Sequence, residues 1–146
     1  MNFDTRYLYI ILGLIVIMNL FSGSFDILGV LLTLPGVLVA ITFHEYAHAL
    51  AAYKLGDDTP KVQGRLNLNP LTHLDPIAVV LLVFTHIGWG KPVEINPNNF
   101  DRKISARAGE AIVAAAGPIM NILLAFVIAI IFYALQVFAT GFAIGT

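Results

Sequence analysis

The sequence predicts an all-α polytopic membrane protein: three transmembrane helices, a short re-entrant or half-spanning helix, and a small β-hairpin-like element. Three observations carry this prediction. Hydrophobic residues make up 58% of the 146 residues and charged residues only 12%, whereas soluble domains carry about 25% charged residues. The mean hydropathy is +0.84. The apolar residues are concentrated in a few long runs, which is the pattern of membrane spans.

The three predicted spans occupy residues 7–21, 27–53 and 111–138. A signal peptide is the alternative for the first, but the next apolar run begins almost at once, which favours a retained span. The second is long enough to cross the bilayer with a turn to spare, and Pro35 should kink it. The third contains small residues at 114–117, which let another helix approach closely.

Residues 77–89 form a shorter apolar segment, of a length that is more often re-entrant than spanning. Basic residues lie on both sides of this segment, at positions 54, 61 and 65 before it and 91, 102, 103 and 107 after it. A re-entrant segment keeps both basic loops on one side of the membrane, as the positive-inside rule prefers. We therefore predict that both loops are cytoplasmic.

Two polar stretches have the period-2 alternation of β-strands. Residues 65–69 alternate polar and apolar side chains, as a strand does. Residues 91–97, KPVEINP, place Val93 and Ile95 on one face, and the two prolines suit an edge strand. We expect the second stretch to pair with residues 66–68 as a small sheet beside the candidate site.

The candidate site lies in the second span, where His44, Glu45 and His48 form the pattern H-E-x-x-H. Residues four apart on a helix share a face, so both histidines can bind one metal ion while Glu45 acts on a water molecule there. Two imidazoles and a carboxylate suit zinc-assisted hydrolysis. Burying these groups in an apolar segment is costly unless they are paired or metal-bound, which favours a metal site over a polar cluster satisfied between helices.

The composition also limits the classes of site and partner. The chain has no cysteine, so it has no disulfide, thiolate zinc site or cysteine nucleophile. Its net charge is −1, and no basic stripe indicates nucleic acid as a partner. The expected partners are the lipid bilayer and a transmembrane protein or peptide substrate, and no feature indicates an oligomeric state.

With these residues in place, the chain resembles the site-2 protease family of intramembrane zinc metalloproteases, in its compact branch without a PDZ domain. The resemblance covers nearly the whole chain. It rests on HEYAHAL at 44–50, GRLNLNPLTHLDP at 64–76, GWGKPV at 88–93 and AGPIMN at 116–121. It implies that His44 and His48 bind Zn²⁺, that Glu45 is the general base, and that a peptide enters as an extended strand.

The third zinc ligand in this family is normally an aspartate in a Leu-Asp-Gly motif on a further span, and no such motif occurs here. We therefore expect either that the metalloprotease domain, residues 1–146, is truncated at its C-terminus or that another aspartate substitutes. Asp75 is the candidate substitute, and its alternative role is that of a turn residue beside Pro76. His73 is predicted to orient the site as a donor behind the ligands.

The expected function is that of a zinc metalloendopeptidase of the cell membrane, with its active site near the cytoplasmic side, which cleaves transmembrane segments of membrane proteins. Leu66, Asn67 and Leu68 are expected to hold the unwound substrate. Asn121 is either a substrate or site contact or an interhelical hydrogen bond. One alternative function is a catalytically inactive metal-binding membrane adaptor of the same fold. The other is a metal or proton transporter, which the clustering of polar residues at one depth disfavours.

Overall fold

The computed structural model describes residues 5–23, 26–85 and 88–144. These residues are mostly helical, which confirms the predicted α class. The elements are α1 (Thr5–Phe21), α2 (Ile27–Lys54), α3 (Thr59–Val62), α4 (Pro70–His73), α5 (Pro76–Thr85), a 3-10 turn (Pro97–Asn99) and α6 (Ala106–Ile144). The chain divides into two compact units, Met1–Thr42 with Asn69–Pro92 and Phe43–Leu68 with Val93–Thr146.

Two helices are long and apolar enough to cross a membrane. α2 has 28 residues and α6 has 39, and only 11% and 0% of their most apolar windows are buried within the structure. The core helix of a soluble protein buries its apolar residues, whereas these helices expose them, as membrane helices do. α1 is apolar but has only 17 residues, so its role as a third span stays a prediction. α2 continues through Pro35.

The short apolar segment is the ten-residue helix α5, Pro76–Thr85. At 1.5 Å per residue it is about 15 Å long, roughly half the thickness of the hydrocarbon layer. Asp75 begins this helix, because its Oδ1 accepts the backbone N–H groups of Ile77 at 2.8 Å and Ala78 at 3.2 Å. The predicted segment also includes residues 86 and 87, which lie outside the described residues. The length agrees with a half-spanning helix, whose position in a membrane stays a prediction.

The predicted β-hairpin-like element does not form. Neither 65–69 nor 91–97 is a strand. Within the described residues, β-type pairing is limited to one isolated antiparallel bridge, between Leu74 and Gly90. The expectation that residues 66–68 pair with the second stretch was therefore wrong.

Local hydrogen bonds explain why the first stretch is bent. The Asn67 amide donates to the carbonyl of Gly64. Asn69 Oδ1 accepts the backbone N–H of Leu71 at 3.1 Å and so caps α4. Short polar side chains that bond to nearby backbone groups compete with a strand ladder. The polar residues that alternate in this stretch therefore stabilise a turn and a helix cap and not a strand.

The second stretch is tied to Asp57, a fully buried carboxylate. The backbone N–H of Asn96 donates to Asp57 Oδ2 at 2.7 Å, and Asn99 Nδ2 donates to Oδ1 at 2.9 Å. The Thr59 hydroxyl and N–H also donate to Oδ1, at 2.5 and 3.1 Å. Burial alone raises the pKa of Asp57, but these hydrogen bonds outweigh it and hold the pKa below its ordinary value. The carboxylate thus joins the turn after α2 to the segment before α6.

The core of the second unit fixes the end of α2 against the start of α6. Its buried residues are Ala52, Phe100 and Val113. Gly56 follows α2 with a φ of +103°, a backbone conformation that residues with a side chain rarely adopt. A Cβ there would lie 3.1 Å from the carbonyl oxygen of Asn99. The N–H of Asp101 donates to the carbonyl of Leu55 at 2.7 Å. These contacts hold the face of α2 that carries the candidate site against α6.

Candidate metal centre

His44 and His48 lie one helical turn apart on α2, as the H-E-x-x-H spacing predicts. Their ring centroids are 4.6 Å apart, and the rings meet edge to face at 82°. Glu45, on the same turn, is buried, with 8% of its surface exposed. Two imidazoles and one carboxyl group are therefore concentrated within one turn of an apolar helix.

Gly117 of α6 lies directly against both histidine rings. A Cβ atom at this position would be 2.5 Å from Nε2 of His48 and 2.6 Å from Nε2 of His44. The two Nε2 atoms therefore converge on a space that stays open only because residue 117 has no side chain. The prediction that small residues at 114–117 allow another helix to approach closely is confirmed at Gly117.

The outer nitrogen of His48 is held by the backbone of α6. His48 Nδ1 lies 2.6 Å from the carbonyl oxygen of Val113. A carbonyl oxygen only accepts hydrogen bonds, so Nδ1 carries the proton and donates. The neutral ring then has its lone pair on Nε2, the form in which a histidine binds a metal.

Asn121 contacts the other histidine. Its Nδ2 lies 3.3 Å from His44 Nδ1, and α6 thereby reaches both rings. The buried Oδ1 of Asn121 has no hydrogen-bond partner in the described part of the chain. The contact is an interhelical hydrogen bond to a candidate ligand, and a contact of Asn121 with substrate stays a prediction.

These observations fit a zinc ion held by two imidazoles. Zinc binds histidine nitrogen at about 2.0–2.1 Å, and both Nε2 atoms border the same small opening beside Gly117. The Val113 carbonyl fixes one ring in the form that binds a metal. Over residues 5–23, 26–85 and 88–144, no group of three or more histidine, cysteine, aspartate or glutamate side chains is placed to hold a metal.

The chain is similar to two curated proteins. It is 45% identical over 91 residues to "Putative zinc metalloprotease YwhC" of Bacillus subtilis (strain 168), an alignment that covers 62% of this chain and 40% of that protein. It is 32% identical over 101 residues to "Putative zinc metalloprotease Rip2" of Mycolicibacterium smegmatis (strain ATCC 700084 / mc(2)155), over 65% of this chain and 37% of that protein. The chain is a relative of proteins named as zinc metalloproteases.

These matches are consistent with a site-2 protease-like family member, as the four sequence motifs indicated. The alignments span about two fifths of the length of the curated relatives. No family model matches the chain, and no solved structure matches it.

The structure places the remaining predicted site residues of this chain as follows. Asp75 and His73 belong to the first unit. Asp75 caps α5, which is turn chemistry, and its role as a zinc ligand stays a prediction. His73 is fully buried, and its carbonyl accepts the N–H of Lys91 at 2.7 Å. Residues 66–68 belong to the second unit, and their contact with substrate stays a prediction without the expected strand.

Sequence reasoning missed two contributions of α6 to the site. The Val113 carbonyl belongs to the backbone, so no residue type marks its role. Gly117 was noted only as one of several small residues. The available signal is the spacing, because Val113, Gly117 and Asn121 recur every four residues and so share one face of a helix.

Proposed function

We propose that the chain is the zinc-binding part of an intramembrane metalloendopeptidase, which hydrolyses peptide bonds in or near transmembrane segments of membrane proteins. The convergence of His44 and His48 Nε2 on the opening beside Gly117 carries this proposal. The names of the two relatives support zinc as the metal and proteolysis as the reaction. The exposed apolar surfaces of α2 and α6 support a location in the lipid bilayer.

The hydrogen bonds of Asp57 support a topology in which the loops before and after α5 lie on the same side of the membrane. Asp57 follows α2, whereas Asn96 and Asn99, which donate to it, follow the short helix α5. Groups that share a hydrogen bond lie on one side of a membrane, so the segment between them makes no net crossing. Excess basic residues in both loops favour the cytoplasmic side of the cell membrane. His48 is six residues from the end of α2 at Lys54, so the site is about 9 Å from that end.

Metal binding and proton transfer are assigned to different residues of the chain. His44 and His48 would hold the zinc through Nε2. When bound, zinc supplies Lewis acidity, which polarises the scissile carbonyl and makes water a stronger acid. Glu45 takes the proton of the attacking water and passes it to the leaving amine. Because only 8% of the surface of Glu45 is exposed, its carboxylate meets little competing solvent.

Replacing Glu45 with glutamine tests this assignment. Glu45→Gln keeps the shape of the side chain and removes its basic oxygen. We expect the Glu45→Gln variant of the full chain to fold, to keep its zinc and to bind a transmembrane peptide. We expect it to cleave that peptide about 10²–10⁴ times more slowly than the wild type does. The matched control is Glu110→Gln, an exposed glutamate on α6, which should cleave like the wild type.

Three outcomes would count against the proposal. Unchanged cleavage by Glu45→Gln would remove this residue from the mechanism. Loss of zinc together with activity would make Glu45 part of the metal site's structure and not a base. Zinc and peptide binding without any cleavage by the wild-type protein would favour the inactive adaptor.

A further inference from the structure

The face of α6 that contacts the histidines gives the two rings different hydrogen-bond partners. His48 Nδ1 meets the Val113 carbonyl oxygen at 2.6 Å, an acceptor that cannot turn. His44 Nδ1 meets the side-chain amide of Asn121 at 3.3 Å, and an amide presents either a donor or an acceptor. The backbone therefore fixes the proton of one ring, whereas the side chain of residue 121 decides the other.

The orientation of this amide determines whether His44 can bind a metal. With Nδ2 toward the ring, the amide donates to Nδ1, and the neutral ring carries its proton on Nε2, where no lone pair is left. With Oδ1 toward the ring, Nδ1–H donates to the amide, and Nε2 keeps its lone pair. Only the second arrangement gives His44 the same form as His48.

The proposed zinc site requires the second arrangement, because a metal bound at His44 Nε2 needs the lone pair there. Nδ2 lies toward His44 in the structure, and the buried Oδ1 bonds to no atom of the described residues. A half-turn of the amide exchanges the two atoms, so that Oδ1 accepts the Nδ1–H of His44 and Nδ2 takes the position that Oδ1 held. One atom of the amide lacks a partner among the described residues in either arrangement, so the metal ligand decides between them.

We propose that Asn121 is a positioning residue for His44: its side-chain oxygen accepts the Nδ1–H and keeps the Nε2 lone pair directed at the opening beside Gly117. This inference rests on the proposed zinc site and adds to it a residue that binds no metal. Partners of this kind fix the ring orientation and the proton position of metal-binding histidines, and their loss typically costs 10–100-fold in metal affinity.

Two substitutions at Asn121 separate the acceptor from the shape. Asn121→Leu keeps the branching and the number of side-chain heavy atoms but has no acceptor, so its zinc affinity in the full chain, measured by competition with a chelator, should fall about 10–100-fold. Asn121→Asp keeps an acceptor oxygen and should bind zinc within a few-fold of the wild type. Gln136→Leu likewise replaces an amide side chain with leucine, at an exposed position of α6, and should leave the affinity unaltered.

A spectroscopic measurement reads the proton directly. In zinc-free protein, the ¹⁵N chemical shifts of the imidazole nitrogens report which one carries the proton. We expect His44 to be protonated at Nδ1 in the wild type and in Asn121→Asp, and to shift toward Nε2 protonation in Asn121→Leu. His48 should stay protonated at Nδ1 in all three, since the Val113 carbonyl is unchanged, and this signal also shows that the α2–α6 contact is intact.

The outcomes distinguish this inference from the zinc site itself. Wild-type zinc affinity in Asn121→Leu, or the same His44 proton position in that variant and the wild type, would overturn the role of Asn121 alone. An equal loss of affinity in Asn121→Asp and Asn121→Leu would show that packing matters and the acceptor does not. Undiminished zinc in a His44→Ala/His48→Ala double variant would instead overturn the metal site and, with it, this inference.

Discussion

Gly117 offers the sharpest structural test of the site, through a single added methyl group. In Gly117→Ala, the new Cβ would lie 2.5 Å from His48 Nε2 and 2.6 Å from His44 Nε2. Ordinary contacts between these atoms are about 3.5 Å, so the rings or α6 must move by roughly 1 Å. Overpacking of this size typically costs about 1–3 kcal/mol, which corresponds to roughly 5–150-fold in zinc affinity if the cost falls on the bound state.

The assay is chelator competition on the full chain, with thermal unfolding as a check on the fold. Gly141→Ala is the matched control, because it adds the same methyl group to the same helix at a position where, apart from neighbouring residues and the backbone of its own helix, no atom of the described residues lies within 4 Å. We expect Gly117→Ala to lose zinc affinity and Gly141→Ala to keep it. Equal affinity in the two variants would refute the inference that both Nε2 atoms converge on a metal beside residue 117.

Two further predictions concern the loops on either side of α5. Asp57→Ala should lower the free energy of unfolding by about 3 kcal/mol, because it removes a buried charged acceptor of several hydrogen bonds, whereas exposed Asp58→Ala should change it by less than about 0.5 kcal/mol. Since the pKa of Asp57 is lowered on folding, its stabilisation should be complete above the unfolded value of about 3.9 and lost as the pH falls through the lower folded pKa; an Asp57→Asn variant with the same acid dependence as the wild type would contradict this. Single cysteines at exposed Asp58 and Asn98, in a chain with no cysteine of its own, should label from the same side of the membrane, and labelling from opposite sides would show that the segment between them crosses it.

The sequence predicted the features that depend on local composition and spacing. Long apolar runs specify α2 and α6 with little help from the rest of the chain, and the spacing of His44 and His48 places them on one face whatever the helix packs against. The short length of α5 was likewise readable from the short apolar run. In each case one local rule dominates.

The failures came where local and distant interactions compete. Residues 65–69 alternate like a strand, but Asn67 and Asn69 bond to nearby backbone groups, which outweighs a weak strand propensity. The extended segment before α6 bonds to the distant Asp57 carboxylate instead of a strand. The roles of Gly117 and the Val113 carbonyl depend on which face of α6 meets α2, and that is a tertiary property.

The zinc content of the purified full chain tests the central claim most directly. We expect about one zinc ion per chain, and a sharp reduction in each of the variants His44→Ala and His48→Ala, with thermal unfolding measured in parallel to show that the helices remain packed. Gly141→Ala should carry as much zinc as the wild type. Full zinc retention in the folded His44→Ala/His48→Ala double variant would contradict the metal centre and the proteolytic function proposed from it.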